Sequence, residues 1–316
     1  MQSQYEHWKR GLSSALDPSQ ILDNVPLAPF TTFRIGGPAD LFFRATDARQ
    51  LVAAVEGSRE LEIPTFLLGR GANVLVGDRG FRGLVIRCEV GGIQRLDDRR
   101  LRAGAGVNVF PDLIMTGVQA GLGGLHHFAG IPSTVGGAIW QNLHFLSPAP
   151  ERDRTVFIQE SVESAEIFSQ EGVLKEVGAE YFRFGYDYSI LHDRNDIVLS
   201  VLFRLHGQNP EELRRIMREN LEWRSQRHPD LHRLPSAGSI FKKVEGVGAG
   251  RLIDECGLKG LIHGGAQIFP RHANIIVNRG GATALDVVTL METARDAVLK
   301  DTGHLLEPEI TLLGEF

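Results

Sequence analysis

The chain has 316 residues, of which 42% are hydrophobic and 23% are charged, with a formal net charge of −5 and a pI near 6.1. These values are typical of a globular protein of two or three domains, and they argue against the basic surface that nucleic-acid binding requires. No segment approaches the roughly 20 consecutive apolar residues of a membrane-spanning helix. Cys88 and Cys256 are far apart in the chain, which argues against a disulfide framework or a metal site.

The N-terminal segment MQSQYEHWKRGLSSALD predicts a polar amphipathic helix. Because this segment lacks the apolar core of a secretory signal, and because cysteines are few, we expect a cytoplasmic protein in a reducing compartment. We also expect a monomer that binds neither nucleic acid nor membrane.

Residues 26–80 predict a small βαβ-like unit that ends in a loop. The segments TTFRI and ADLFF are rich in strand-forming residues, and a Gly-Gly-Pro break separates them. Asp47 has the position of a helix N-cap, and a short strand, TFLLG, then leads into residues 69–73, Gly-Arg-Gly-Ala-Asn. Glycine permits positive φ angles and lets a backbone lie close to a ligand.

A second glycine-rich stretch, LGGLHHFAGIPSTVGGAIWQN, occupies residues 122–142 of a β-rich region at 81–206. A predicted helix at 110–120 precedes it. Small side chains leave main-chain N–H groups free to point at phosphate or ring heteroatoms. The alternative is a loop that merely packs tightly. Two such stretches in one chain predict one large cofactor, held from two sides.

From residue 209 onward the pattern predicts a third, α+β region. The segment EELRRIMRENLEWRSQR predicts a charged helix with one apolar stripe. The segments GAGRLIDECG and ATALDVVTLMETARDAVLKDTG predict helices that end at Gly257 and Gly303. AQIF and ANIIVN predict strands, and EPEITLLG predicts a final strand.

Two segments of this region carry candidate chemistry. In PSAGSIFKK, Ser236 and Ser239 flank Ala-Gly, so that the backbone is thin where a hydroxyl is presented. The alternative is an exposed turn with solvated lysines. In LLEPEITLL, Glu307 and Glu309 would face one side of a strand, where they either reach solvent or have a function. No persuasive His/Asp partner set accompanies the serines, which disfavours a hydrolase triad.

An ordered set of motifs resembles the UDP-N-acetylenolpyruvoylglucosamine reductase family, flavoproteins of bacterial peptidoglycan precursor synthesis. The motifs are LLGRGANVLVGDRG, GIPSTVGGA, PSAGSIFK, GRLIDECGLKG, GGAQI, HANIIVN and LEPEI. Each is weak alone, but chance matches do not keep their order from residue 24 to the end. A predicted strand and a predicted helix fill the interval 189–235. In this respect the chain resembles the shorter class of the family, which has no substrate-gating tyrosine loop.

The resemblance implies an α+β fold of the vanillyl-alcohol-oxidase (PCMH) type, in which two domains hold non-covalent FAD and a third α+β domain closes the substrate site. It accounts for the lack of a Rossmann G-x-G-x-x-G fingerprint. The implied domains are a lead-in helix at 1–23, FAD-binding subdomains at 24–80 and 81–207, a substrate-binding domain at 208–302, and a strand at 303–316 that returns to the first subdomain.

The resemblance also implies a reductase that uses NADPH and FAD to convert UDP-N-acetylglucosamine enolpyruvate to UDP-N-acetylmuramate. Hydride goes to the methylene carbon of the enol ether, and enolate character develops at the neighbouring carbon. Ser239 matches the family's proton donor. Glu309 matches the glutamate that helps to stabilise or protonate the enolic intermediate, and burial there would raise a carboxyl pKa.

The binding residues implied by the resemblance fall into two sets. The FAD-binding set is Gly69, Arg70, Gly71, Ala72, Asn73, Val74, Ile131, Pro132, Ser133, Thr134, Gly136, Gly137, Ala138 and Arg224. The set for the UDP-sugar substrate is Tyr186, Lys242, Lys259, Gln267 and His272. Lysine is a mobile point charge, which suits a diphosphate.

The chain departs from the family pattern mainly on the substrate side. The family motif F-G-Y-R-x-S has a catalytic arginine where this chain has Asp187, which reverses the charge. Arg183 and Arg194 are candidates for a substitute cation. The family segment N-x-G-A-Y-G is NLHFLS at residues 142–147, F-K-N-P is FKKV, and the serine of G-x-G-S-N is Ala72.

These departures leave two alternatives open. The chain would then be an FAD-binding homologue that has lost or altered the reaction, or an FAD-linked oxidase with covalent flavin. The second alternative requires a tether, for which His126 and His127 lie close to the flavin loop in the sequence.

Overall fold

The computed structural model describes residues 2–244 and 246–316, with residues 2 and 3 as backbone only. The helices are α1 (Gln2–Leu12), α2 (Ala48–Glu60), α3 (Ile114–Gln119), α4 (Val135–Gln141), α5 (Pro210–Arg227), α6 (Ala249–Glu255) and α7 (Ala284–Thr302). The strands are β1 (Leu22–Pro26), β2 (Pro38–Ala45), β3 (Thr65–Leu68), β4 (Val74–Val76), β5 (Phe81–Cys88), β6 (Ile93–Arg95), β7 (Arg100–Gly104), β8 (Leu122–Gly123), β9 (His144–Ser147), β10 (Arg154–Phe157), β11 (Val162–Phe168), β12 (Leu174–Gly178), β13 (Ile197–Arg204), β14 (His206–Gly207), β15 (Ile262–His263), β16 (Ala266–Ile268), β17 (Ile276–Asn278) and β18 (Thr311–Leu313).

The strands form several small sheets. One has four strands in the order β1-β2-β5-β3, and another has five in the order β12-β11-β13-β7-β6. The pairings of the five-stranded sheet are antiparallel. Strands β15, β16 and β17 form a third sheet, and β18 pairs in parallel with β4. Helices and mainly antiparallel sheets together confirm the predicted α+β class.

The chain divides into two compact units. Unit 1 consists of the residues up to Ile21, Phe43–Arg70 and Ile86–Arg224, and unit 2 consists of Leu22–Phe42, Gly71–Val85 and Ser225–Phe316. The predicted division into a lead-in helix and three domains stays a prediction. Within the part of the chain that the structure describes, no helix has the length and apolar character needed to cross a bilayer.

In unit 1, helix α4 packs on strands β7 and β13 of the five-stranded sheet. Val201 and Phe203 of β13 are fully buried, and burial of each such side chain contributes about 1.5–3 kcal/mol. Thr134 is the N-cap of this helix, and its hydroxyl accepts a hydrogen bond from Gly137 N. The C-cap, Asn142, has the left-handed conformation. This packing fixes the position of the second glycine-rich stretch.

In unit 2, helices α6 and α7 pack together, and α7 lies against β15 and β16. The core includes the buried side chains of Leu252, Ile276 and Leu290. Thr283 and Asp286 cap α7 reciprocally, because the hydroxyl of Thr283 accepts from Asp286 N and the carboxylate of Asp286 accepts from Thr283 N, both at 3.0 Å.

Most predicted elements are confirmed. Helix α2 follows the predicted N-cap Asp47, and α6 and α7 end just before Gly257 and Gly303, which have positive φ. The predicted helix at 110–120 is present as α3, preceded by a wider helical turn at Val109–Leu113.

The strand predicted for TTFRI is wrong, because residues 31–35 form no strand. Thr31 N bonds back to Ala28 O, Thr32 N donates to Gly71 O, and Arg34 has a φ of 53°. Tertiary hydrogen bonds override the local strand propensity of the threonines. The final strand is also shorter than predicted, since it begins at Thr311, after both glutamates.

Candidate active site

Unit 2 brings Ser239 and Glu309 together. Glu309 N donates to Ile240 O at 2.8 Å, and Lys242 N donates to Glu307 O at 2.9 Å, so the two segments run antiparallel. Ser239 is also bridged to Ile275 on its other side. Ser239 and Glu309 are both half-buried. The predicted hydroxyl and carboxylate therefore occupy adjacent chain segments, although 70 positions separate them in the sequence.

The first predicted flavin loop reaches the same place in unit 2. The side-chain amide of Asn73 donates to Glu309 O at 3.3 Å, and Asn73 O accepts from Thr311 N at 3.0 Å. Gly71 has a φ of 65°, and a Cβ there would lie 2.4 Å from Phe30 O, so only glycine fits. Ala72 is half-buried, and Val74 is buried in β4.

The predicted substrate residues of unit 2 are held by local partners. Lys242 pairs with Glu307 at 3.2 Å, and Lys259 pairs with Asp254 at 2.6 Å. The side-chain amide of Gln267 donates to Gly260 O at 3.1 Å. Burial lowers the pKa of His272, and the ammonium group of Lys259 acts in the same direction. The two lysines are thus already balanced by carboxylates.

Unit 1 holds the remaining part of the first loop against the second glycine-rich stretch. A Cβ at Gly69 would lie 2.6 Å from the hydroxyl oxygen of Thr134, so a larger residue would displace this cap. A guanidinium N–H of Arg70 donates to Asn108 Oδ1 at 3.1 Å, and Asn108 is bridged to Thr134. The two predicted FAD-binding segments of unit 1 are therefore in contact.

The rest of the second stretch has a defined backbone. Ile131 N donates to Phe128 O at 3.1 Å, the hydroxyl of Ser133 donates to Thr134 O at 2.9 Å, and Gly136 N donates to Ala105 O at 2.8 Å. Pro132 is half-buried, whereas Ala138 is fully buried in α4.

Arg224, near the C-terminal end of α5, gives a test of whether an anionic cofactor fits unit 1. Burial lowers its pKa to about 10. Its guanidinium lies 5.5 Å from the ring centroid of Phe145 and close to Gly130, and it forms no ion pair with a described residue. Burying a cation without an anion is costly, so this position fits a negatively charged ligand group.

The predicted substrate residue Tyr186 is half-exposed and adjoins Asp187, whose side chain is largely buried. Arg194 forms ion pairs with Glu171 and Asp196. Arg183 is exposed and lines a groove whose lining includes Arg194 but not Asp187. Neither arginine pairs with Asp187 among the described residues.

The two histidines that were candidates for a covalent tether lie in the interior of unit 1. The rings of His126 and His127 are tilted against each other with centroids 4.0 Å apart, and burial lowers their pKa values to about 3 and about 4. Nδ1 of His127 shares a 2.7 Å hydrogen bond with the hydroxyl of Ser147. Both rings are therefore neutral packing elements at physiological pH.

Sequence reasoning missed several residues that position unit 2. The hydroxyl of Thr32 donates to Ser236 O at 2.7 Å, and Asn274 both accepts from Phe241 N and donates to Phe241 O. The carboxylate of Asp78 accepts from the first N–H groups of α7. The only sequence signal was the occurrence of Asp78 and Asn274 inside recognised motifs.

The chain matches two protein families. Residues 39–178 match an FAD binding domain, and residues 228–313 match the C-terminal domain of UDP-N-acetylenolpyruvoylglucosamine reductase. The first match shows that the cofactor is FAD, and together with the mixed architecture it confirms the predicted fold class.

Similar proteins extend over almost the whole chain. The UDP-N-acetylenolpyruvoylglucosamine reductase of Heliobacterium modesticaldum is 39% identical over 94% of this chain and 91% of its own. That of Pelobacter propionicus is 38% identical over 93% of this chain and 96% of its own. The crystal structure of UDP-N-acetylenolpyruvylglucosamine reductase from Thermus caldophilus superimposes with a TM-score of 0.76 and 34% identity, over 93% of this chain and 99% of that one.

Proposed function

The chain belongs to the UDP-N-acetylenolpyruvoylglucosamine reductase family, and we propose that it reduces UDP-N-acetylglucosamine enolpyruvate to UDP-N-acetylmuramate with NADPH as electron donor. This reaction would serve peptidoglycan precursor synthesis in the cytoplasm, with the enzyme as a monomer. The observation that carries the proposal is the adjacency of Ser239 and Glu309 in unit 2, in a chain whose relatives bear this name.

The residues of the two glycine-rich stretches, together with Arg224, are proposed to bind FAD. The close approach of Gly69 to Thr134 and the positive φ of Gly71 support this assignment, because a side chain at either position would disturb the loop. The buried guanidinium of Arg224 would face a negatively charged or electron-rich part of the cofactor. When bound, FAD supplies hydride to the methylene carbon of the enol ether.

Ser239 is proposed to donate a proton to the carbon next to the one that accepts hydride. A serine hydroxyl is a weak acid, so this role requires a reactive, carbanion-like acceptor at a fixed distance. The bridge from Ser239 to Ile275 and the bond between Ile240 and Glu309 fix the segment on both sides. Glu309 is proposed to stabilise or protonate the enolic intermediate from the adjacent segment.

The substrate's diphosphate is proposed to bind through Lys242 and Lys259, and Tyr186, Gln267 and His272 are proposed to complete the substrate site. Because Glu307 and Asp254 hold the two lysines, substrate binding would exchange a carboxylate partner for a phosphate partner. Both pairs are well exposed, so this exchange costs little.

A second candidate function rests on Asp187. An aspartate at the family's arginine position works against an anionic substrate if it faces the site, and this supports an FAD-binding homologue with an altered reaction. Replacement of Asp187 by arginine separates the two candidates. A large rise in turnover favours the altered homologue, whereas unchanged turnover favours an active enzyme in which another group supplies the positive charge.

The primary test is steady-state NADPH oxidation by the purified yellow protein. We expect oxidation to depend on the enolpyruvyl substrate, and mass spectrometry should show one UDP-N-acetylmuramate for each NADPH consumed. NADPH oxidation that is independent of the substrate, without this product, contradicts the proposed function. Light scattering of the same sample tests the monomer.

A further inference from the structure

Two departures from the family pattern lie against each other in unit 1. Asp187 stands at the arginine position of F-G-Y-R-x-S, and His144 lies in the segment that differs from N-x-G-A-Y-G. Oδ1 of Asp187 is 3.6 Å from Nδ1 of His144. This distance is within ion-pair range but beyond a hydrogen bond, so the contact is electrostatic.

The surroundings hold this pair in place. The side chains of His144 and Asp187 are only 20% and 11% exposed. The ring of His144 packs against the rings of Tyr186 and Phe157, with centroids 4.5 Å and 5.3 Å away. Asp187 has a φ of 52°, a conformation that aspartate tolerates better than most residues.

The same turn is tied to the end of the second glycine-rich stretch. Asn142, the C-cap of α4, donates from its side-chain amide to Gly185 O at 2.8 Å, and Gly185 N donates to Tyr188 O at 3.0 Å. His144 follows this cap by two residues. The pair therefore lies beside the helix that contributes Gly136 and Gly137 to the proposed FAD-binding set.

The ring geometry assigns different roles to the two nitrogens of His144. Nδ1 is buried and faces the carboxylate, so Nε2 is the nitrogen on the opposite edge of the ring. Only an imidazolium carries a proton on both nitrogens. Such a ring presents a positively charged N–H donor at Nε2.

Resting on the proposed function, we propose that His144, positioned by Asp187, replaces the catalytic arginine of the family. The imidazolium supplies the positive charge and the hydrogen-bond donor that stabilise the carboxylate or enolate of the substrate, and Asp187 orients the ring and balances its charge. The one substitution that reverses the charge is thus accompanied by a second that restores a cation.

Other charged groups near the pair already have partners. On β10, which pairs with the strand of His144, Arg154 forms an ion pair with Glu160 at 3.1 Å. His127, which precedes β9 in the chain and packs near it, shares its Nδ1 hydrogen bond with Ser147. Among the described residues, the carboxylate of Asp187 is the charged group within ion-pair distance of His144.

The first experiment separates the two half-reactions of H144Q by anaerobic stopped-flow spectroscopy. We expect reduction of the bound FAD by NADPH to stay within about twofold of the unaltered protein. We expect reoxidation by the enolpyruvyl substrate to slow about 100- to 1,000-fold, the range for loss of one preorganised donor. The matched control is H206Q, which removes an exposed histidine of unit 1 and should change neither rate.

The second experiment supplies a cation at position 187, the other member of the pair. In the double variant H144Q/D187R, an arginine stands at the family position, and we expect most of the reoxidation rate to return.

Two outcomes overturn the inference: reoxidation by H144Q at the normal rate, or a double variant as slow as H144Q. If H144Q loses FAD, the variant D187N replaces it in this test, because D187N keeps the ring of His144 but removes the carboxylate. Reoxidation of D187N at the normal rate would contradict the inference. If the unaltered protein is not reoxidised at all, the proposed function itself is contradicted. This result differs from the outcomes that overturn only the role of His144.

Discussion

The two parts of the molecule that carry proposed catalytic groups are built differently. In unit 2, backbone hydrogen bonds between adjacent chain segments place Ser239 and Glu309. In unit 1, side-chain contacts of His144 and Asn142 place Asp187. A backbone ladder tolerates changes of side chain, whereas a side-chain cluster changes as a set. In unit 1, two departures from the family pattern, at His144 and at Asp187, are in contact.

The largest effect is expected from Ser239→Ala in unit 2. Loss of the proposed proton donor should lower substrate-dependent turnover by about 10²–10⁴-fold, the usual contribution of a positioned acid. Reduction of FAD by NADPH should be unchanged, which rapid-mixing absorbance measures. The control is Ser236→Ala, because no chemical role is proposed for the hydroxyl of Ser236. The hydrogen bonds between Ser236 and Thr32 involve only the backbone of Ser236 and would remain. Equal rates in S239A and the unaltered protein would remove Ser239 from the mechanism.

The stability of unit 1 should decrease in acid because of its buried histidines. Burial lowers the pKa values of His126 and His127 to about 3 and about 4 in the folded protein. Unfolded histidines bind protons from about pH 6.5 downward. The contribution of these two residues to the free energy of unfolding is therefore fully present above this pH and is lost as the pH falls towards 4. Each histidine contributes up to about 1.4 kcal/mol per pH unit.

Urea unfolding between pH 7 and pH 5 measures this loss, which should total about 2–4 kcal/mol. Replacement of His126 by glutamine should remove about half of the slope with pH. An unfolding free energy that is constant over this range would mean that both rings are protonated equally in the folded and unfolded chains.

The positioning of Ser239 in unit 2 should depend on Asn274. Its buried side chain forms two hydrogen bonds, of 3.0 Å and 2.8 Å, with the backbone of Phe241. Asn274→Ala leaves both Phe241 groups without this partner, at a cost of about 2–3 kcal/mol. Thermal denaturation measures the loss, and Asn195→Ala, which truncates an exposed asparagine of unit 1, is the control. A loss no larger than that of the control would contradict the assigned role.

A smaller effect is expected from Asp78→Ala. The carboxylate of Asp78 accepts from Ala284 N at 2.8 Å and from Leu285 N at 3.1 Å, at the positive end of α7. Its loss should lower the free energy of unfolding by about 1–2 kcal/mol. Asp78→Asn should recover part of this stability, because the amide oxygen still accepts. No difference between the two variants would argue against a capping role.

Features with local causes could be predicted from the sequence. Asp47 caps α2, and Gly257 and Gly303 follow α6 and α7, because caps depend on residues within one helical turn. The strand predicted for TTFRI failed because Thr32 has its partners in the distant residues Gly71 and Ser236.

The candidate site divides in the same way. Ser239 and Glu309 could be found because each lies in a recognisable motif, although their adjacency required the fold. His144 could not be found, since neither its segment nor its spacing from Asp187 matches any pattern. Its significance depends on a contact between residues 43 positions apart, and no local propensity encodes such a contact.

The central claim is that reducing equivalents pass from NADPH through FAD to the enol ether, with Ser239 as the proton donor. The most direct test is a single turnover in which the anaerobically reduced protein is mixed with the enolpyruvyl substrate. We predict that the oxidised flavin spectrum returns, with one UDP-N-acetylmuramate formed per flavin. In S239A, the oxidised spectrum should return far more slowly. A flavin that stays reduced in the unaltered protein would contradict the account.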